Sequence, residues 1–95
     1  MTRLLRPSSR FRKDLFREAR GEYRKIVASG GRLDEAIEIL ALDGELDPRY
    51  KDHGMTNLPG VRNCHVTPDL ILLYGQDTHG LLDLYRLGTH SELGI

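Results

Sequence analysis

Apolar positions in the first third of the chain recur at helical spacing. Phe11, Leu15, Ala19, Tyr23 and Ile26 follow one another at four, four, four and three residues, which places them on one helix face. Arg10, Arg12, Lys13, Arg17, Arg20 and Arg24 occupy much of the remaining surface. Ser8 or Ser9 supplies the N-cap. Gly21 weakens this helix by about 1 kcal/mol relative to alanine and marks a place to bend. Ser29-Gly30-Gly31 ends it. Before it, residues 2–6 read as an edge strand stopped by Pro7. A second helix spans residues 33–43, with Leu33, Ile37 and Leu40 as its stripe, Asp34 and Glu35 in its first turn, and Gly44 to close it. The two helices form a hairpin.

The period then changes. Residues 44–60 hold Gly44, Pro48, Gly54, Pro59 and Gly60 and show no repeat, which marks a long loop of the kind that carries function. Residues 61–67 alternate: Asn63, His65 and Thr67 take one face, Cys64 and Val66 the other. After the corner Thr67-Pro68-Asp69, residues 70–74 are apolar on both faces and read as a central strand. Residues 81–87 form the last strand. Simple alternation puts Leu82, Leu84 and Arg86 on one face and Asp83, Tyr85 and Leu87 on the other. Thr89-His90-Ser91-Glu92 has the spacing of a capping box, so a single helical turn follows. The order β-α-α-β-β-β predicts an α+β domain, with a two-helix hairpin on one face of a small antiparallel sheet.

Ninety-five residues form one domain, which buries roughly 60–65% of its unfolded surface. No apolar run approaches the roughly 20 residues of a membrane span. Basic residues near the start are not followed by an apolar segment, so no secretory signal is expected. A single cysteine, Cys64, allows no internal disulfide and fits a reducing, cytoplasmic setting. The net charge of zero hides an asymmetry. Residues 1–32 hold ten Lys/Arg and three Asp/Glu, a balance of +7, and residues 33–95 hold four and eleven, a balance of −7. A basic first lobe suggests a polyanion partner, against the plainer reading of a solvated helix face.

All four histidines follow residue 50, and three stand at element ends beside an Asp or an Arg. Histidine titrates nearest neutrality, so such a group suits acid–base chemistry on a phosphodiester. His65 on a polar strand face is either a catalytic group or an ordinary surface residue. Asp69 either orients a histidine or serves the turn. Arg86, on a row shared with leucines, either stabilises a charged transition state or closes a structural ion pair. His90 opens the last helical turn, and His53 lies in the long loop close to Lys51. His79 reads as ordinary surface. The intervals between histidines, 12, 14 and 11 residues, match no compact metal-ligand motif, so no metal site is expected.

Three stretches together resemble the YafQ branch of the RelE/ParE toxin superfamily. They are Tyr50-Lys51-Asp52-His53, then Arg62-x-x-His65-Val66-x-Pro68-Asp69-x-Ile71-Leu72-x-Tyr74, then Leu81-Leu82-x-Leu84-x-Arg86-x-Gly88-Thr89-His90-x-x-Leu93. The resemblance is specific over residues 50–93 and architectural over 1–45. It implies a RelE-like microbial ribonuclease-type fold. It also implies the toxin of a type II toxin–antitoxin pair, a ribosome-dependent messenger-RNA endonuclease that needs no metal or other cofactor. By position, His53, His65, Asp69 and His90 would form the acid–base set and Arg86 would hold phosphate or the transition state. Lys51 and Arg62 would grip the RNA backbone, and the basic residues Arg10, Arg17, Arg20 and Arg24 would bind ribosomal RNA. The implied partners are a cognate antitoxin, the ribosome and messenger RNA, with no membrane. Two alternatives stand beside this: a family member that binds antitoxin but cuts poorly, and a ParE-like poison of gyrase.

Two positions depart from the family pattern. Leu70 stands where a tryptophan is common and would line the RNA site, and Gly94 stands where a phenylalanine is common. Aromatics there stack bases, so the departures bear on codon preference. Tyr50 or Tyr85 is a candidate replacement, and restoring aromatics at 70 and 94 is the corresponding test.

Overall fold

The computed structural model describes residues 2–95. The chain runs β1 (Leu4–Pro7), α1 (Ser9–Glu18), α2 (Arg24–Val27), α3 (Arg32–Ala41), a 3₁₀ turn (Pro48–Tyr50), β2 (His53–Gly54), β3 (Arg62–His65), β4 (Ile71–Gln76), β5 (Leu81–Gly88) and α4 (His90–Leu93). The α+β class, the helical hairpin and the closing helical turn are as the periodicity indicates. The five strands lie in the order β1-β5-β4-β3-β2. The sheet is mixed rather than wholly antiparallel, because β1 runs parallel to β5, Leu4 opposite Leu81 through Pro7 opposite Leu84. Parallel neighbours need a long connection, and here everything from α1 to β4 intervenes. The fifth strand is the two-residue β2 inside the long loop, where His53 pairs with Asn63.

The first helix is shorter than its apolar spacing suggests. Ser8 caps it: its Oγ accepts from the Phe11 N–H at 2.9 Å and donates to the Tyr85 carbonyl at 2.8 Å, which ties the cap to β5. The helix stops at Glu18, before Gly21, and a separate turn, α2, follows. Ala19 therefore ends exposed. Asp14 and Glu18, which lie on the Phe11 side of the helix, take inward positions in its place. The second arm, α3, closes with a Schellman motif: Gly44 N–H reaches the Ile39 carbonyl and Asp43 N–H the Leu40 carbonyl. The left-handed residue there is Asp43, φ +58°, not Gly44.

One sheet face meets the helices. Phe11, Val27, Leu33, Ala36, Ile37 and Leu40 pack there against Cys64, Val66, Leu70, Leu72, Tyr74, Leu82, Leu84 and Leu87. Leu87 belongs to this core because β5 is bulged. Leu73 pairs with Arg86 but Tyr74 pairs with Leu84, so Tyr85 has no partner across the ladder. One extra residue reverses the alternation beyond it. Leu87 rejoins Leu82 and Leu84, and Arg86 moves to the opposite face with Leu73, correcting the row that simple alternation gives it. Among the described residues no helix is long and apolar enough to cross a membrane.

Candidate active site

Register alone sets out the face opposite the helices. His53 stands against Asn63, Asn63 against Leu73, and Leu73 against Arg86, a row across four strands. Two residues along, His65 stands against Ile71 and Ile71 against Gly88. Cross-strand partners share a face, so His53, His65 and Arg86 are brought to one side. The turn after Gly88 adds His90. Thr89 Oγ1 accepts from Glu92 N–H at 3.2 Å while the Glu92 carboxylate accepts from Thr89 N–H at 2.8 Å, a complete capping box.

Three imidazoles line up as a result. The His53 and His65 rings are 6.4 Å apart between centroids, and the His65 and His90 rings 5.5 Å. Each ring turns its Nδ1 toward an oxygen acceptor: His53 toward the Lys51 carbonyl at 2.7 Å, His65 toward the Pro68 carbonyl at 3.3 Å, His90 toward Asp69 Oδ1 at 2.9 Å. A carbonyl only accepts, so Nδ1 of His53 and His65 must carry the proton, and in the neutral rings the lone pair is on Nε2. The hydrogen bond from His90 holds the exposed Asp69 carboxyl below the usual carboxylate range. Asp69 is thus the orienting partner of a histidine. A groove of about 540 Å³ runs on from His53, between Met55, Leu58 and Ile95.

Arg86 lies on this side, yet its guanidinium is held. Nε donates to Asp14 Oδ2 at 2.7 Å and Nη2 to Asp14 Oδ1 at 3.3 Å. The Leu87 N–H also donates to Asp14 Oδ2, at 3.0 Å. Burial by itself would push the Asp14 carboxyl up. The bonds from Arg86 and Leu87, with the charges of Arg86 and Arg17, outweigh it and hold the carboxyl below its usual value. Asp14 is a site-supporting residue that periodicity hides among the charges of a basic helix; its only sequence signal is an i,i+3 pairing with Arg17.

Several residues expected to touch RNA are placed elsewhere. Arg17 is a structural hub. It bonds Asp14 Oδ1 at 2.9 Å, Glu18 Oε2 and the Leu87 carbonyl at 2.9 Å each, and Glu92 Oε2 at 3.0 Å, so it fastens α4 to α1 and β5. The crossing is close: a Cβ on Gly88 would lie 3.0 Å from Arg17 Nη2 and 3.2 Å from the Glu92 side chain. Arg62 pairs with Tyr74, so it lies on the helix side of the sheet, and its Nε donates to Asp52 at 3.2 Å. The ladder places it away from the imidazole face. Lys51 is exposed next to the row, in the left-handed conformation, φ +49°. Arg10, Arg20 and Arg24 are exposed on the first arm of the hairpin.

The aromatic question also resolves. Leu70 is completely buried in the helix-side core and cannot meet a base. Tyr50 is 1% exposed, beneath the guanidinium groups of Arg32 and Arg49, so it is no substitute. Tyr85 is the bulge residue and its ring packs on Gly75. Gly94 caps α4 at φ +72°, where a phenylalanine would add left-handed strain of about 1–2 kcal/mol. Leu70→Trp is expected to lower stability by about 1–3 kcal/mol through overpacking rather than to raise any RNA cleavage. Thermal denaturation beside a cleavage assay distinguishes the two. Cys64 is fully buried, its thiol pushed up to about 12, and it offers no nucleophile. Among the described residues no group of three or more His, Cys, Asp or Glu has the geometry to hold a metal ion.

Comparison with known proteins agrees with this architecture. The mRNA interferase toxin YafQ of Escherichia coli strain B is 47% identical over 45 residues, 46% of this chain and 48% of its own. The solved E. coli DinJ–YafQ toxin–antitoxin complex contains a chain that superposes with TM-score 0.80 at 28% identity, covering 98% of both. A copper-bound mutant toxin from Helicobacter pylori superposes with TM-score 0.81 at 31% identity, covering 96% of this chain and 98% of its own. The family of bacterial toxins of type II toxin–antitoxin systems named YafQ matches residues 3–94. From Arg3 to Gly94, therefore, the chain belongs to the YafQ toxin family.

Proposed function

We propose that this toxin is a ribosome-dependent endoribonuclease that cuts messenger RNA by metal-independent acid–base catalysis. The observation that carries the reading is the line of three imidazoles, each with Nδ1 engaged and Nε2 left for chemistry. One Nε2 takes the proton of an RNA 2′-hydroxyl as its oxygen attacks the adjacent phosphorus. The P–O5′ bond breaks, and a second imidazole, protonated beforehand, gives its proton to the leaving 5′ oxygen. The products are a 2′,3′-cyclic phosphate and a 5′-hydroxyl end. Proton transfers balance within the set, so no Lewis acid is required. Asp69 fixes the His90 ring and offsets positive charge when that ring takes a proton. Arg86 uses its Nε and one Nη2 proton on Asp14, which leaves further guanidinium protons to meet charge at phosphorus.

The ribosome would present the message with its 2′-hydroxyl in line, a geometry the open face of this small sheet does not itself impose. Lys51 stands beside the row to meet a phosphate. The solved complex of the E. coli relative supports a cognate antitoxin for this toxin as well. Restraint by such a partner suits a protein that would otherwise arrest its own cell.

Primer extension on a message translated in a cell-free bacterial system tests the reading. New cuts should need ribosomes and should persist in EDTA at concentrations that spare the ribosome's magnesium. The copper-bound H. pylori relative makes that chelator arm informative. Loss of cutting under transition-metal chelation would replace the acid–base account. Cutting of naked RNA would remove the ribosomal requirement. Absence of any cut would favour an antitoxin-binding or gyrase-directed role, the latter tested by supercoiling.

A further inference from the structure

Phe11, Tyr23, Tyr50 and Tyr74 belong to the helix-side core or its rim and Tyr85 packs on Gly75, which leaves one aromatic unaccounted for. Phe16, on α1, is 66% exposed, and it is the one exposed aromatic among the six in the chain. Exposing a phenylalanine without a partner wastes its main contribution to folding. Its surroundings are not apolar. Arg12 and Lys13 stand at i−4 and i−3, on the same side of α1, and Arg20 follows in the turn just after it. The Arg20 guanidinium carbon lies 5.3 Å from the ring centroid, so ring and cation already form a stacked pair.

The charge on this face is free. Arg3, Arg6, Arg17, Arg62 and Arg86 all have carboxylate partners within 4 Å, but among the described residues Arg10, Arg12, Lys13, Arg20 and Arg24 have none. Of the acids nearest in sequence, Asp14 and Glu18 are buried and engaged by Arg86 and Arg17, and Glu22 is exposed beyond the end of α1 without an ion pair to any of these cations among the described residues. What remains outward is a cationic surface around one exposed ring. A protein partner that sought an apolar anchor would find a single ring surrounded by uncompensated cations. An unpaired nucleobase with its phosphates satisfies both features, because any base offers a π-face and its backbone the charge.

We propose that Phe16 and Arg20 form a stacking platform for an unpaired base of RNA, with Arg12 and Lys13 holding the adjoining phosphates. Resting on the RNA-directed reading of the toxin, this gives α1 a binding site separate from the imidazole line. It differs from a general basic patch in one respect: it requires bases.

A single-tryptophan probe tests it, since the chain has no tryptophan. Fluorescence of Phe16→Trp should be quenched by single-stranded oligo(A), and much less by an abasic oligomer of equal length or by duplex RNA. In the otherwise native protein, Phe16→Ala should weaken oligo(A) binding by about 5- to 100-fold with no change in salt slope. Arg20→Gln should weaken it too, and should lower the salt slope by about 0.7. Equal binding of oligo(A) by Phe16→Ala and the unmodified protein would overturn the platform, as would equal quenching by the abasic oligomer. Quenching by an antitoxin alone would assign the face to that partner and also overturn it. Message cleavage is read separately: a Phe16-dependent oligo(A) complex with no cleavage would sink the endonuclease and leave the platform standing. Cleavage with Phe16→Ala binding unchanged would do the reverse.

Discussion

Replacement of His65 by alanine is expected to lower message cleavage by about 10²–10⁴-fold, the contribution of one positioned acid or base. His65 is the middle ring, 6.4 Å from His53 and 5.5 Å from His90, so it is the one imidazole adjacent to both others. The fold should not suffer. The ring lies on the open face and is only partly buried, and its hydrogen bond to the Pro68 carbonyl at 3.3 Å is a long one. The check is single-turnover cutting on programmed ribosomes alongside thermal denaturation. A drop in rate with an unchanged Tm identifies a chemical role. A His65→Ala, His90→Ala double variant should lose little beyond the larger single loss, because groups that act in one proton-transfer step are not additive. Full cutting by His65→Ala would remove this residue from the mechanism.

The second large effect concerns stability. Asp14→Ala is expected to cost about 3 kcal/mol, the low end for breaking a buried ion pair, since Arg86 retains some contact with water. For a chain of this size that corresponds to a fall in Tm of roughly 12–24 °C. The substitution leaves the Leu87 N–H without its acceptor, Arg86 without its partner and Arg17 with one bond fewer. The pH dependence follows in sign. The Asp14 carboxyl titrates lower in the folded protein than in the unfolded chain, where about 3.9 is usual. Its stabilisation is therefore present above about pH 4 and is lost as pH falls through the lower folded value. Asp14→Asn should show a shallower loss of stability below about pH 4, measured by urea unfolding across that range. An unchanged Tm for Asp14→Ala would show that Arg86 is held by something else.

These two effects belong to different layers of one arrangement. His65 would act on substrate directly. Asp14 acts through Arg86 and through Arg17, which fastens the helical turn that carries His90. The three imidazoles lie at or near the surface, whereas Asp14 and Glu18, the carboxylates of the network beneath them, are buried. A functional face on a 95-residue domain has little core to spare, so polar groups do structural duty there.

Sequence alone determined the α+β class, the helical hairpin, the three long strands and the capping box at Thr89. Each is local: helix and strand periods, turn residues and caps depend on neighbours a few positions away. It also offered His53, His65, Asp69, Arg86 and His90 as one set, from residue type and from family resemblance. What only the tertiary structure decided is which of these side chains are free. The parallel pairing of β1 with β5 and the fastening of Arg17 to the Leu87 carbonyl join residues 70 or more positions apart, and the bulge at Tyr85 that turns Arg86 over and admits Leu87 to the core shows only in the pairing of β4 with β5. Leu70 shows the limit most clearly. An apolar residue at a strand corner reads the same whether it faces RNA or the core, and only its packing beneath the helices, at 0% exposure, separates the two.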